Sequence, residues 1–403
     1  MIILDIIKVK GITTKSEIMK NNKIWDKIRN ISSLKDLSDI GIANIGGGAI
    51  SSIFWLYLAS IMTPEEYGQI GYLISIAGIA AVFCQFGTGY FLMVTTAKKQ
   101  NVLSIIALIS ISSSLIAAIV LYILFKEPAL GIVAIGYVIL NLGLSDLFGR
   151  RFYRKYTKIF LIQKILLFVL GLSMYYFVGP IGIIYGFGLS MFVFSYQIYI
   201  SIKGKKLDYS VLRSKIQFAL NTYLEDIVKT FSSESHKFII APLLGLTLLG
   251  NFHLGIQSMS VLAIIPGIIS QYIIPEEASG STKLQLKKYY LILAITLAML
   301  GFFLSPIVIS ELFPKFSQAV EIVPILSLTL IPGTISNIFY SKFLASEKSK
   351  FIIIGTLLFT ILQISLMVIL GKSIGITGIA YAFLIATSSQ TIILGLFYKL
   401  YIK

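Results

Sequence analysis

Long apolar runs of about 20 residues, almost free of charged side chains, recur along this sequence from residue 38 to its end. A run of this length crosses the hydrocarbon core of a bilayer, whereas a soluble core needs no apolar stretch so long. Charged residues make up only 13% of the chain, about half the share that is usual in soluble domains. Since helices satisfy their own backbone hydrogen bonds in lipid, the sequence predicts an all-α integral membrane protein.

A window of about 19 residues divides these runs into about twelve predicted transmembrane helices. The seventh is the weakest, because several charged residues interrupt it. The approximate limits are 38–61, 69–94, 102–125, 129–147, 159–177, 181–200, 216–242, 249–274, 289–308, 320–345, 350–370 and 378–399.

The positions of the basic residues support this number of spans. If residues 1–37 and every second connection face one side, all but six of the 34 lysines and arginines lie on that side. The six exceptions are Lys126, Lys315 and Lys372 on the other side and Lys164, Lys229 and Lys237 within spans. Because basic loops stay in the cytoplasm, both termini are predicted to be cytoplasmic in a multi-pass protein of the cell membrane. The net charge of +16 therefore follows from topology, and no nucleic-acid partner is expected.

Two short motifs recur at corresponding places in the halves of the chain. "GIIYGF" begins at Gly182 and "GIAYAF" at Gly378, and a turn ending at Gly68 has a counterpart ending at Gly250. A duplicated unit with six spans gives two parallel six-helix bundles, related by an axis along the membrane normal. The predicted organisation is a basic, partly amphipathic N-terminal segment (1–37), a first half (38–202), a basic cytoplasmic linker (203–215) and a second half (216–403).

The sequence offers no motif for enzymatic chemistry. The glycines Gly46–Gly48 resemble the start of a phosphate loop, but no lysine follows where such a loop needs one. They are better explained as small residues that let neighbouring helices approach the first span closely. One cysteine and two histidines make a zinc site improbable, so no cofactor or metal and no enzyme activity is expected.

The seventh span carries an unusual concentration of charge. At about 100° per residue, Glu225, Lys229 and His236 fall on one side of a helix, and Asp226 and Lys237 flank that side. Because an ionisable side chain at bilayer depth costs several kcal/mol, it usually faces a wet cavity or a partner. The pattern predicts a cavity wall that handles a charged substrate or a coupling ion. The alternative is a helix with its polar side at the cytoplasmic interface and a local Glu225–Lys229 pair.

Other polar groups within the spans have simpler interpretations. Asn44 is one of several amides that can line a cavity suited to sugars or form hydrogen bonds between helices. Asp146 is expected to pair with Arg150 one turn later, and Lys164 to extend towards the cytoplasmic surface. His253 follows the turn at Gly250 and is interpreted as a residue of the membrane interface, with a proton site as the alternative.

Several of these motifs resemble polysaccharide-biosynthesis flippases of the Wzx type, in the superfamily that includes the MATE drug exporters. The most specific is the Pro-Glu-Glu-Tyr-Gly turn at 64–68, which follows a glycine-rich span and precedes a Gln85-x-Gly87 pattern. The stretch "HKFIIAPLLGLTLLGNFHL", starting at His236, and the Gly-Ile-x-Tyr openings are also similar to that family. The chain departs from it at His236-Lys237, where the family often has an acidic residue followed by a basic or polar one.

The resemblance implies a MATE-like transporter that flips lipid-linked oligosaccharide, typically linked to polyprenyl pyrophosphate, by alternating access. The sugar and pyrophosphate head needs a hydrated cavity between the halves, while the apolar tails stay among the membrane lipids. The expected cavity residues are Lys229, Lys237, Glu225, Asp226, His236 and Asn44, with the two lysines contacting the pyrophosphate. A coupling ion, H⁺ or Na⁺, and enzymes of glycan assembly are the further expected partners.

Two other functions stay open at this point. A MATE-like, ion-coupled exporter of small molecules would favour an acidic cavity, which the lysines of the seventh span argue against. A membrane-embedded polysaccharide polymerase or glycosyltransferase usually carries a long outer loop or a catalytic segment with acidic motifs, and the sequence has neither.

Overall fold

The computed structural model describes residues 32–205, 207, 209–278, 284–346, 348 and 350–401. Within these ranges the chain is almost wholly helical and contains no strand, as predicted. The predicted N-terminal amphipathic segment lies mostly outside the described residues, apart from residues 32–37 at the start of the first helix.

The first half contains eight helices, and we refer to them as the first lobe. A short 3₁₀ turn, Phe192–Phe194, joins the last two of them. The helices are α1 (Ser32–Ile61), α2 (Pro64–Cys84), α3 (Tyr90–Ala97), α4 (Leu103–Phe125), α5 (Pro128–Gly149), α6 (Tyr153–Val178), α7 (Pro180–Met191) and α8 (Ser195–Ile202).

A short helix, α9 (Ser210–Ser214), lies in the predicted linker and leads to the second lobe. The second lobe consists of α10 (Ile216–Leu244), α11 (Leu246–Leu262), α12 (Ile264–Ala278), α13 (Leu284–Leu312), α14 (Ala319–Ser327), α15 (Leu330–Ala345) and α16 (Lys350–Tyr401).

The described residues include nine helical stretches long and apolar enough to cross a membrane, or ten when α11 and α12, bent by 52°, count as one span. Two further crossings bring this number to the predicted twelve. The 52-residue α16 counts once, although Ile374 and Gly375 leave helical geometry and divide it into two segments. Helix α10 has the length of a span, at 29 residues, but its charged and polar residues make it less apolar than the other long helices. The second predicted span differs, because Gln85–Gly89 break it between α2 and α3.

The Pro-Glu-Glu-Tyr-Gly motif starts α2. The Thr63 hydroxyl accepts a hydrogen bond from the Glu66 amide at 3.3 Å, and the Thr63 amide donates to Glu66 Oε2 at 2.9 Å. This capping box satisfies two backbone donors, and Pro64 fits the first helical turn because it has no amide hydrogen. The motif therefore fixes the point at which the chain re-enters the membrane after α1.

The repeated motifs occupy equivalent places in the two lobes. Gly179 and Gly375, each three residues before its motif, adopt φ values of +82° and +65°, which favour glycine. At Gly182 and Gly378, a side chain would overlap the carbonyl oxygen of the residue eight positions earlier in the preceding helix. Each copy therefore turns tightly and packs its last span on the one before it.

The glycine run of α1 packs this helix against α6. A Cβ at Gly47 would lie 2.5 Å from the Phe160 ring, and one at Gly46 would lie 3.0 Å from Leu161 Cδ2. Gly48, in contrast, has open space where its side chain would be. Two of the three glycines thus allow the close approach that the sequence predicts.

The ends of the helices define two faces of the molecule. The basic face carries Lys99, Arg150 and Lys205, together with the other basic connections. The opposite face carries the turns at Pro64, Gly245 and Lys315. The sequence predicts that the basic face is cytoplasmic.

Candidate functional site

Helix α10 is a part of the second lobe that faces the first lobe: it contacts α2 and α3 of the first lobe on one side and α11 and α16 of its own lobe on the other. Aromatic pairs connect α10 to α2 and to the break that follows α2, with ring centroids 5.4–6.1 Å apart. The pairs are Tyr223–Phe86, Phe231–Phe83 and Phe238–Tyr72. The charged helix that the sequence singles out is therefore a wall of the surface between the lobes.

The first group of charges on α10 lies towards the basic face. Lys229 Nζ is 2.6 Å from Glu225 Oε1, which confirms the local pair considered from the sequence. The same ammonium lies 5.0 Å from the centre of the Tyr90 ring, at the start of α3 in the first lobe. About half of the Lys229 side chain is exposed, so the ammonium is accessible to a ligand.

Asp226 faces the first lobe rather than the side that carries Glu225. Its Cγ would lie 3.1 Å from a Cβ at Gly89, where the chain breaks between α2 and α3. A small cavity of about 160 Å³ adjoins the carboxyl group, and Ser145 and Phe148 of α5 line its far wall. The break in the second predicted span thus provides the space for this carboxyl group.

A second group of charges lies further along α10. Lys237 Nζ is 2.7 Å from Glu234 Oε2, and only 11% of the lysine side chain is exposed. The His236 ring packs against Phe252 of α11 at 5.5 Å, and its Nε2 has no hydrogen-bond partner among the described residues. Lys237 follows Lys229 by eight residues, which places the two groups about 12 Å apart along the helix.

His253 is buried between the lobes, so its interpretation as a residue of the membrane interface is wrong. Its ring lies 5.4 Å from Trp55 and 4.9 Å from Tyr67, both in the first lobe. Neither ring nitrogen has a hydrogen-bond partner in the described part of the chain. The sequence places His253 one turn or more into a helix but does not show that this side of α11 faces α2.

The two lobes meet backbone to backbone near the opposite face. A Cβ at Gly250 of α11 would overlap the Pro64 carbonyl oxygen and lie 3.1 Å from the Gly68 amide nitrogen. A Cβ at Gly68 would in turn overlap the Leu246 carbonyl oxygen. The turns that mark the sequence repeat are therefore in direct contact, which the repeat alone does not reveal.

Asn44 lies apart from the charges of α10. Its Oδ1 accepts a hydrogen bond from the Tyr156 hydroxyl at 3.1 Å. It also lines a cavity of about 270 Å³ that separates α1 from the bend between α11 and α12, near Ser260 and Gly267. Asn44 thus both joins two helices and borders a cavity, and this cavity is different from the one beside Asp226.

Asp146 is neutralised within the first lobe. Arg150 donates to Oδ1 at 2.8 Å, as the sequence predicts, and Oδ2 accepts from Gln197 at 2.8 Å and from Ser201 at 2.6 Å. The last two donors come from α8 and were not foreseen. With three donors, this buried carboxylate holds α5 and α8 together and does not face the second lobe.

Within the described ranges, no group of three histidine, cysteine, aspartate or glutamate side chains lies close enough to hold a metal ion. The chemistry of the interlobe surface is therefore that of two lysine–glutamate pairs, one further carboxyl group and two buried imidazoles. This set suits the binding of a charged polar group.

The sequence profile of a family described as polysaccharide biosynthesis protein matches residues 57–313, which include α2, α10 and α11. No curated protein matches the sequence significantly. Among solved structures, lipid II flippase MurJ in an inward closed conformation is similar, with a TM-score of 0.72 and 15% identity over 89% of this chain and 87% of that chain.

Two transporters of the MOP superfamily are also similar in structure. An inward-facing multidrug resistance MATE family transporter aligns with a TM-score of 0.67 and 16% identity, over 89% of this chain and 94% of its own. A transporter from Pyrococcus furiosus aligns with a TM-score of 0.62 and 15% identity, over 91% of this chain and 95% of its own. These likenesses establish the fold predicted from the sequence.

Proposed function

The chain belongs to the family of polysaccharide biosynthesis proteins, and from this premise we propose that it flips lipid-linked oligosaccharide across the cytoplasmic membrane. The substrate class is a glycan on a polyprenyl pyrophosphate carrier, destined for the assembly of surface polysaccharide. In this role the protein moves its substrate without changing any covalent bond, so it is a transporter and not an enzyme.

The observation that carries this proposal is the position of α10. This helix packs against the first lobe, and it carries Lys229 and Lys237 about 12 Å apart along its axis. A pyrophosphate that links a polyprenyl chain to a glycan is a compact dianion, and ammonium groups are suitable donors for it. The polyprenyl tail needs no such site, because it remains in the lipid.

Both lysines are paired with glutamates, at 2.6 Å and 2.7 Å. Each pair sets opposite charges side by side, and an unpaired charge inside a membrane is costly. A pyrophosphate would compete with Glu225 and Glu234 for the two ammonium groups. His236 lies next to Lys237 on the same helix, and its ring packs against Phe252 of α11.

Transport requires the two lobes to separate on alternate sides of the membrane. The contact between Gly68 and Gly250 closes the opposite face, so the substrate would enter from the basic, cytoplasmic face. Release requires that this contact opens while the lobes approach each other at the basic face. An ion gradient of H⁺ or Na⁺, or consumption of the glycan by assembly enzymes outside, would make the movement directional.

The fold alone does not choose between this function and export of small cations, since both kinds of transporter share it. Purified protein in vesicles should move a fluorescent lipid-linked oligosaccharide from one leaflet to the other, as detected by loss of its fluorescence to a membrane-impermeant quencher. Vesicles that contain the protein and move no such lipid, but accumulate an organic cation, would favour the exporter.

The role of Lys237 can be separated from a purely structural role of its pair with Glu234. We expect Lys237→Gln to weaken binding of a polyprenyl pyrophosphate about tenfold, because it removes a charge-assisted hydrogen bond. Glu234→Gln should strengthen binding several-fold, since the pyrophosphate then has no competitor for the lysine. Binding is measured by thermal stabilisation of the purified protein. Equal effects of both variants in the same direction would contradict the proposed contact.

A further inference from the structure

A pocket of about 810 Å³ opens on the basic face, where α3 and α5 end and α4 and α6 begin. Four cationic side chains line it, and none of its described lining residues is acidic. The four are Lys99, Arg150, Arg151 and Lys205. The pocket is built from the first lobe and the connection after α8, so it is separate from the interlobe surface.

The chain brings these cations together by two similar turns. Lys99 and Arg151 each follow the end of a helix and adopt φ values of +57° and +59°. The two turns lie side by side because Gly149 allows close contact, with a Cβ there only 2.6 Å from Thr96 Cβ. A left-handed backbone at a residue other than glycine is uncommon, so its occurrence at both basic residues marks a defined structure.

Within the described residues, the positive charge of the pocket is poorly compensated. Asp146 lies behind Arg150, but this carboxylate is buried and already accepts hydrogen bonds from Gln197 and Ser201. Burial lowers the pKa of the Lys205 ammonium, and the positive charge of Arg150 lowers that pKa further, while Asp146 raises it. An anion in the pocket would therefore relieve a repulsion between cations.

The size and the position of the pocket indicate the kind of anion. Its volume is in the range of pockets for whole small molecules, about 300–1,000 Å³, and exceeds what one inorganic phosphate requires. It lies at the ends of membrane-spanning helices, the level of lipid headgroups, and the exposed Phe152 forms part of its lining. Basic pockets between transmembrane helices on the cytoplasmic side are suited to anionic headgroups.

We propose that this pocket binds the phosphate headgroup of an anionic lipid at the basic face of the first lobe. The inference does not depend on the substrate proposed above, because the pocket and the interlobe surface share no residue. A bound lipid would hold the ends of α3 and α5 together and anchor the first lobe at one depth in the membrane.

The test compares two triple variants of the full-length protein. Lys99→Asn/Arg151→Asn/Lys205→Gln removes three charges from the pocket, with asparagine chosen because it tolerates the left-handed backbone. Arg154→Gln/Lys155→Gln/Lys158→Gln removes three exposed charges from α6 that do not line the pocket. Native mass spectrometry of protein in neutral detergent counts bound phosphatidylglycerol, with phosphatidylcholine as the headgroup control.

We expect the pocket variant to bind phosphatidylglycerol about 100-fold more weakly, since each basic residue near an anionic surface contributes about a factor of five. The α6 variant should bind it almost as the parent protein does. Equal losses in both variants, or none in the pocket variant, would overturn the proposal. Inorganic phosphate or pyrophosphate that binds as tightly as the lipid would assign the pocket to a free anion instead. If the pocket variant does not fold, Lys99→Asn/Lys205→Gln replaces it in the comparison.

Discussion

The surface between the lobes is built differently at its two ends. Near the opposite face, Gly68 and Gly250 bring the backbones of α2 and α11 into direct contact. Towards the basic face, α10 meets α2 and α3 through side chains, with a cavity beside Asp226 and a half-exposed Lys229. The contact near the opposite face is therefore rigid, because backbone atoms make it. The contact towards the basic face can rearrange by rotation of side chains.

This difference is suited to a molecule with two discrete states. A backbone contact is either formed or broken, because packed atoms resist small displacements. Side chains such as Lys229 and Asp226 can instead exchange partners within one state. We infer that the contact at the opposite face selects the conformation, whereas the charged end adapts to what occupies the site.

The largest effect is expected from a methyl group at the backbone contact. Gly250→Ala would place a Cβ onto the Pro64 carbonyl oxygen, and neither backbone can move without separating α2 from α11. Overpacking of this kind costs about 3 kcal/mol of the free energy of unfolding, and we expect transport to be lost with it. Thermal unfolding in detergent and the vesicle assay measure the two effects.

Gly333→Ala on α15 provides the matched control. Beyond its chain neighbours and the adjoining backbone of its own helix, no atom lies within 4 Å of the position that its Cβ would occupy, so the substitution introduces no tertiary contact. The better helix propensity of alanine should stabilise the protein by up to about 1 kcal/mol. If Gly250→Ala were as harmless as this control, the backbone contact would not hold the lobes together.

The fold follows from local properties of the sequence. The apolar runs and alternating basic loops give the spans without knowledge of which helices touch. Two departures from a simple count of apolar spans also have local causes. Ile374 and Gly375 leave helical geometry inside one apolar stretch, and the charges of α10 interrupt another. The capping box at Thr63 and Glu66 likewise needs only four neighbouring residues.

The site depends on the rotation of each helix about its axis, which sequence periodicity does not determine. The charges of α10 are conspicuous because they are costly in lipid, and Glu225–Lys229 is a pair within one helix. His253 and Tyr67 give no such signal, since their proximity depends on how closely α2 approaches α11. The glycines at 68 and 250 are visible as repeat landmarks, but their direct contact is a tertiary property.

The smallest effect is expected from a glycine-to-alanine substitution at the other end of the interlobe surface, beside Asp226. Gly89→Ala also creates an overlap, but the atom it meets is the Asp226 carboxyl oxygen, at the tip of a side chain that borders a cavity of about 160 Å³. Because the carboxyl group can rotate into this space, we expect a loss of less than about 1 kcal/mol, within the range of a modest repacking. Thermal unfolding in detergent again measures the loss of stability, which should be clearly smaller for Gly89→Ala than for Gly250→Ala. If Gly89→Ala destabilised the protein as much as Gly250→Ala, the surface around Asp226 would be as rigid as the backbone contact. The inference that one end selects the conformation while the other adapts to the bound group would then be wrong.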